Sequence, residues 1–312
     1  MEIVKVIKPL EVTKALPAFG YEIPKSIREI VSRGGSAAGY SAVSNYLGCP
    51  ERSRLYSLGV RPKPKAKIVS PDDDIVDDVE DARVWGSIIH ALRATRLAYG
   101  QDRTLQLIEE LDLSFEDKLK LQNIWLIYDS QFPLMEEPFK YLGVEVQVVT
   151  NIALPGAPEC LRSVIYDSVI YVPDANGNNA LFSFECKTSA RSGENQFSQY
   201  MPQFMSQTAF WNANPYLVER YGPMRGVVID AVIKTKVPKC ERLGPKYVST
   251  RMQQRALEYA RLPESIVFPI GPDGAYPRML HTCWGRYSPC EMIGLCHEDA
   301  HGDYVVNGEN LR

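Results

Sequence analysis

A chain of 312 residues can bury a full core without disulfides or partners, so one large domain, or one core with a smaller elaboration, is expected. Its 45% hydrophobic and 23% charged residues are those of an ordinary soluble protein; no apolar run approaches the roughly 20 residues of a membrane helix, and Met1-Glu2-Ile3-Val4-Lys5 does not open a signal peptide, so a cytoplasmic protein without a membrane span is expected. The formal charge of −3 excludes a uniformly cationic surface, and any phosphate-binding patch must be local.

Residues 1–35 read as an N-terminal arm, broken by Pro9, Pro17, Pro24 and Gly34-Gly35. A short helix is predicted over 41–47, capped by Ser41 and ended by Gly48-Cys49-Pro50, with a second helical piece over 54–58. Six bases against one acid lie between Glu51 and Lys67, and Arg61-Pro62-Lys63-Pro64-Lys65 and the acidic run from Asp72 to Asp81 read as a surface excursion. A firmer helix follows over 83–99, its apolar face made by Trp85, Ile88, Ile89, Leu92 and Leu97, and two more helices over 103–111 and 114–128. Strand patterns then cover 143–152, 161–172 and 180–187, the last two joined by a turn at Asp174-Ala175-Asn176-Gly177-Asn178-Asn179. A helix over 195–211, a strand over 226–234 and a helix over 250–259 complete the pattern. Eight bases against two acids lie between Lys234 and Arg261. This order predicts an α/β fold with a mixed central sheet flanked by helices.

Two of these strands carry the chemistry. Side chains alternate along a strand, so Asp167 shares a face with Val169 and Tyr171, and Glu185 shares one with Lys187. A hairpin through the Asn-Gly turn brings the two carboxylates toward one cleft. Paired carboxylates suit Mg²⁺ or Mn²⁺, which take oxygen ligands and keep positions for water and phosphate. Phosphodiester hydrolysis uses such an arrangement, and Lys187 is placed to orient or deprotonate the water, or to stabilise phosphate charge. Glu145 is a further acid inside a strand, and His90 lies on the helix after Gly86, able to reach a metal through either ring nitrogen.

The series Gly86-Ser87-Ile88-Ile89-His90, Glu145, Asp167, Glu185-Cys186-Lys187 and a following glutamine-rich helix resembles the PD-(D/E)XK nuclease superfamily. The likeness is to its RecB-like branch, which includes CRISPR-associated and phage-encoded iron-sulphur exonucleases. The resemblance implies a restriction-endonuclease-like core in which His90, Asp167 and Glu185 bind the divalent metal, Lys187 assists catalysis, and Glu145 occupies a less constant acidic position. It also implies a glutamine on the helix after the lysine: Gln203 has the typical distance from Lys187, whereas Gln196 with Tyr200 has the literal Gln-to-Tyr spacing. The chain departs from the family in lacking a glycine just before the aspartate, having Ser163-Val164-Ile165-Tyr166 there.

Seven cysteines cannot all pair within the chain, and clustered cysteines in a cytosolic protein favour metal binding or catalysis. Cys283, Cys290 and Cys296 are spaced C-x6-C-x5-C, and Cys49 is the best fourth ligand. Four thiolates suit tetrahedral Zn²⁺ or a [4Fe-4S] cluster, and spacing alone does not separate them. The split pattern resembles the iron-sulphur staple of AddB-type nucleases, which implies a cluster joining N- and C-terminal segments. His281 and His297 lie near Cys283 as alternative ligands, because six residues rather than the usual two separate Cys283 from Cys290. Cys160, Cys186 and Cys240 are isolated, and Cys186, of opposite strand parity to Glu185 and Lys187, is expected in the core.

The expected organisation is an arm over 1–35, a nuclease domain over 36–297 containing the split cysteine site, and a tail over 298–312. DNA end processing by an exonuclease acting on single-stranded or resected DNA is the expected function, with DNA and a recombination or helicase partner. No G-x-x-x-x-G-K-[ST] sequence is present, so ATP-driven unwinding is not expected of this chain. The alternatives are a structure-selective endonuclease or RNA-cleaving enzyme of the same fold, a non-catalytic DNA-binding recombination partner, and a structural zinc protein.

Overall fold

The computed structural model describes residues 21–32, 43, 49, 55, 60–62, 79–152, 160–174, 177–189, 194–233, 238–265, 304–306 and 309–310. The chain divides into two compact units, one formed by Met1–Ala37 with Asp77–Tyr259 and the other by Ala38–Val76 with Ala260–Arg312. In the second unit, strand β1 (Val60–Pro62) pairs antiparallel with β7 (Tyr304–Val306), which pairs with β8 (Glu309–Asn310). These strands fall where the sequence suggested a surface excursion and a tail. A strand ladder satisfies backbone groups without needing a long apolar run, so three-residue strands leave little periodicity to read. Of the helices expected over 41–47 and 54–58, only Val43 and Leu55 lie among the described residues, and both are helical.

The first unit is α/β. It opens with α1 (Ile27–Ser32), a short helix inside the expected arm, and continues with α2 (Val79–Tyr99), α3 (Gln101–Glu110) and α4 (Phe115–Gln131). The Ser114 hydroxyl caps α4 by accepting from the Asp117 N–H at 3.1 Å. Five strands follow: β2 (Lys140–Ile152), β3 (Cys160–Pro173), β4 (Asn179–Ser189), β5 (Met224–Ile233) and β6 (Lys239–Tyr247), in spatial order β2-β3-β4-β5-β6. Helices α5 (Glu194–Asn212) and α6 (Pro215–Tyr221) make the crossover between β4 and β5, the parallel pair; the other neighbours are antiparallel. Last comes α7 (Thr250–Ser265), whose residues from Ala260 on are assigned to the second unit. The mixed sheet flanked by helices is the expected class and is consistent with a restriction-endonuclease-like core.

Each face of the sheet has its own cover. Ile88, Ile89 and Leu92 of α2, with Leu107, Leu121 and Trp125, pack with Cys186, Val232 and Cys240 of the sheet. On the opposite parity of β5, Val227 and Ile229 meet Phe204 of α5. The expected turn between β3 and β4 is present: Gly177 has φ +80°, and the Asn178 N–H donates to the Asp174 carboxylate at 2.8 Å. Among the described residues, no helix is long and apolar enough to cross a membrane.

Candidate active site

The site lies where β3 and β4 part. Their ladder runs from Pro173↔Asn179 to Val169↔Ser183, and beyond it β3 stays paired with β2 while β4 stays paired with β5. Asp167 and Glu185, next in the same register, therefore stand in a fork. Backbone groups that lose strand partners there need others. The Cys186 N–H donates to Asp167 Oδ2 at 2.6 Å, and the Ser168 hydroxyl donates to the Phe184 carbonyl at 3.1 Å.

Helix α2 brings the histidine. A Cβ at Gly86 would lie 3.2 Å from Thr188 Oγ1, so the glycine lets the helix approach β4 closely one turn before His90. His90 Nδ1 then lies 3.1 Å from Asp167 Oδ2. Lys187 Nζ is 3.6 Å from Glu185 Oε2 and 5.3 Å from the centre of the Tyr200 ring on α5. Glu145 falls between the pairs Val144↔Ser168 and Val146↔Tyr166, which puts it beside Asp167, and its backbone is left-handed at φ +51°. A non-glycine residue rarely adopts that conformation, and here it occurs next to the acidic cluster.

The electrostatics divide the carboxylates. Burial works to raise the Asp167 carboxyl, but the opposing charge and hydrogen bond of His90, with Lys187 and Arg93, hold it well below the usual carboxylate range. Burial followed by the Asp167 charge pushes Glu185 up to about 7, against the opposing pull of Lys187. Glu145 is likewise raised to about 7, first by burial and then by Asp167. His90 and Lys187 are raised in spite of burial, by Asp167 and by Glu185 respectively. The cluster thus sets one carboxyl held low, Asp167, beside two glutamates raised by burial and by its charge, with His90 and Lys187 as the opposing groups.

The chemistry of the donors fits a hard divalent cation. Glu185 is 1% exposed, yet its Oε1 has no hydrogen-bond partner. A buried carboxylate oxygen left over in this way costs free energy, which a metal would offset. The carboxylate oxygens are donors that suit Mg²⁺ and Mn²⁺, and the imidazole nitrogen beside them suits a softer transition-metal ion better than Mg²⁺. Among the described residues, no three His, Cys, Asp or Glu side chains stand in a ready-made metal cage; His90 is paired with Asp167 and Lys187 with Glu185.

Of the glutamines on α5, Gln203 is half-buried, and the side chain of Gln196 lies outside the described residues. One turn after Gln203, Gln207 is 1% exposed and faces Glu185, with neither of its amide atoms at hydrogen-bonding geometry. The Tyr166 hydroxyl fixes this turn by donating to the Gln207 carbonyl at 2.7 Å. Sequence reading placed Gln207 only where the family has tyrosine, four residues after Gln203, and gave it no role, although a glutamine spaced three from Phe204 and four from Trp211 sits on the apolar stripe of a helix. Arg93 was passed over in the same way, three residues after His90 on the buried side of α2 and 2% exposed.

Cys49 is buried, while Cys283, Cys290, Cys296, His281 and His297 lie outside the described residues. Cys186, as expected from its parity, is in the core. The second basic run is not one surface: Lys239, Lys246, Arg251 and Arg255 are exposed, but Arg261 is buried and Arg242 is tied to Asp230. Lys234 and Lys236 lie outside the described residues, as does most of the first basic run.

No family model and no curated protein matches the chain. Among solved structures, a candidate exonuclease from Eubacterium rectale is similar over 78% of this chain and 79% of its own, at 12% identity and a TM-score of 0.36. SSO0001 is similar over 67% of this chain and 81% of its own, at 11% identity and a TM-score of 0.30. Likeness at this level says nothing of activity, and the site stands on its own geometry.

Proposed function

We propose that the chain is a divalent-metal-dependent nuclease that hydrolyses phosphodiester bonds at DNA ends, acting on single-stranded or resected DNA. The observation that carries this reading is the fork between β3 and β4, where His90, Asp167, Glu185 and Lys187 meet around a buried, unpartnered carboxylate oxygen. His90, Asp167 and Glu185 would hold the metal, with Glu145 beside them. When bound, Mg²⁺ or Mn²⁺ supplies charge stabilisation at the transferring phosphoryl group and a lowered pKa for water. To serve as a ligand His90 would have to be neutral, and its pairing with Asp167, which raises its pKa, works against that. Lys187, kept cationic by Glu185 and Asp167, faces the same space and can stabilise phosphate charge or orient water. Gln207 can donate through its unused amide to the Glu185 carboxylate or to water beside it. We extend the reading to Cys49, Cys283, Cys290 and Cys296 as ligands of a [4Fe-4S] cluster, or of Zn²⁺.

The test is a time course on end-labelled linear and closed circular single-stranded DNA, with protein purified without oxygen, in Mg²⁺ or Mn²⁺, against Glu185→Ala. Cleavage of the linear DNA alone, lost with the substitution, is expected, and the label position reports polarity. Cleavage of the circle would make the enzyme an endonuclease, and cleavage of RNA alone would change the substrate. Folded protein that binds DNA and leaves every substrate intact would show a non-catalytic partner.

A further inference from the structure

The strand fork has a second consequence, on the side of the sheet away from Glu185. The Phe184 carbonyl, which precedes Glu185, accepts from Arg93 Nη1 at 3.3 Å as well as from Ser168. The Arg93 guanidinium lies 3.9 Å from the centre of the Phe184 ring, and its Nε is 3.8 Å from Asp230 Oδ2 on β5. Asp230 is anchored in turn: Arg242 of β6 donates to its two oxygens at 2.7 and 2.9 Å, and the Tyr128 hydroxyl of α4 donates at 2.5 Å. Arg93 is fully buried, and its Nε and Nη2 make no hydrogen bond, so it is not held by a complete set of partners of its own. A buried guanidinium in that state persists only where its surroundings fix it.

We propose that Arg93 is the positioning residue of the metal site, tying the helix that carries His90 to the strand that carries Glu185 and presenting a fixed positive charge behind the carboxylates. This rests on the reading of the fork as a divalent-metal site. One turn of helix separates Arg93 from His90, and one peptide separates its acceptor from Glu185, so the distance across the fork depends on this contact. Arginine suits the task because one planar group can donate to a carbonyl, stack on a ring and face a carboxylate together; lysine offers a point charge without the plane. Groups behind metal ligands commonly set affinity by orienting those ligands.

The experiment measures Mn²⁺ affinity of the full chain by calorimetry, with cleavage and thermal unfolding alongside. The variants are Arg93→Lys, the paired change Arg93→Met with Asp230→Asn, and Arg96→Lys. The paired change removes both charges, so Asp230 is not left facing a neutral group if Arg93→Lys fails to fold. Arg96 belongs to the same helix and bonds Asp129 and Glu137, the second of which it shares with Arg242, whereas the Phe184 carbonyl is bonded by Arg93, so Arg96→Lys reports loosening of α2 and of the Asp230 anchor with the Arg93–Phe184 contact kept. The expected result is Mn²⁺ binding weakened by about 10- to 100-fold in folded Arg93→Lys or in the paired variant, and little changed in Arg96→Lys. Affinity within twofold of the parent in the Arg93 variants, or an equal loss in Arg96→Lys, would overturn the assignment. A parent protein that binds no Mn²⁺ would instead remove the metal site itself, and the assignment with it.

Discussion

At the site, five ionisable side chains, His90, Glu145, Asp167, Glu185 and Lys187, share too little solvent to ionise independently, and this gives the metal-free protein a pH dependence of definite sign. Glu185 and Glu145 rise from an ordinary 4.5 to about 7, so the folded state holds protons that the unfolded state has released. Their contribution to stability is fully present below pH 4.5 and is lost as pH rises through 7. Asp167 acts in the opposite sense, its contribution lost only in strong acid, so it does not cancel this trend at neutral pH. A divalent cation between the carboxylates would compete with these protons, and it would stabilise most where they are gone. Thermal unfolding with and without saturating Mn²⁺ should therefore show a larger gain at pH 8 than at pH 5.5, and the difference should shrink in Glu185→Gln. Equal gains at both pH values would sink the account. Asp167, Glu185 and Lys187 were legible from strand parity, whereas His90 was picked out by the family resemblance of the Gly86-to-His90 segment. Gln207 and Arg93 were not, since a polar residue on an apolar stripe shows its role only when the neighbouring strand is known to have lost its partner.

Strands and helices were legible in proportion to their periodicity. The alternation of β3 and β4 and the apolar face of α2 gave these elements to within a few residues at each end, and the Asn-Gly turn gave the hairpin. Strand β6 went unread: Lys239 to Tyr247 carries Gly244, Pro245 and four charged residues, a composition that signals a loop. It is an edge strand, exposed along much of its length, and β5 rather than its own apolar content recruits it. The recruitment has a tight point. A Cβ at Gly226 would lie 1.9 Å from the Lys246 carbonyl oxygen and 3.0 Å from the Tyr247 Cα, both backbone atoms that cannot rotate away. Gly226→Ala should therefore push β6 off β5, and Arg242 would move with it from Asp230. A loss of about 1 to 3 kcal/mol in chemical denaturation is expected, the usual range for a forced fit in a packed region. A change below about 0.5 kcal/mol, ordinary for an open surface position, would show that the strand pair relaxes freely.

For the whole molecule, chain order and compact unit do not coincide. Residues 77–259 form the bulk of one unit, while the segments before and after them, 38–76 and 260–312, make the other, with β1 paired to β7 across more than two hundred residues of sequence. Among the described residues, three residue pairs of β1 and β7 join these distant segments, and the entropy of closing so long a loop must be offset within the second unit. Cys49 is 2% exposed in that unit, whose later segment also supplies Cys283, Cys290 and Cys296. Four thiolates on one iron-sulphur cluster or Zn²⁺ would add binding free energy only to the folded form. Cys49→Ser should then lose the metal and lower the unfolding temperature, with DNA cleavage falling alongside. Elemental analysis of anaerobically purified protein, together with calorimetric unfolding, checks this. Iron in the parent protein that disappears in the variant supports the cluster, and zinc in its place supports a structural Zn²⁺ site. If the metal, the unfolding temperature and the activity all survive the substitution, Cys49 is simply a packed core residue, and the second unit is held by its strands and apolar contacts alone.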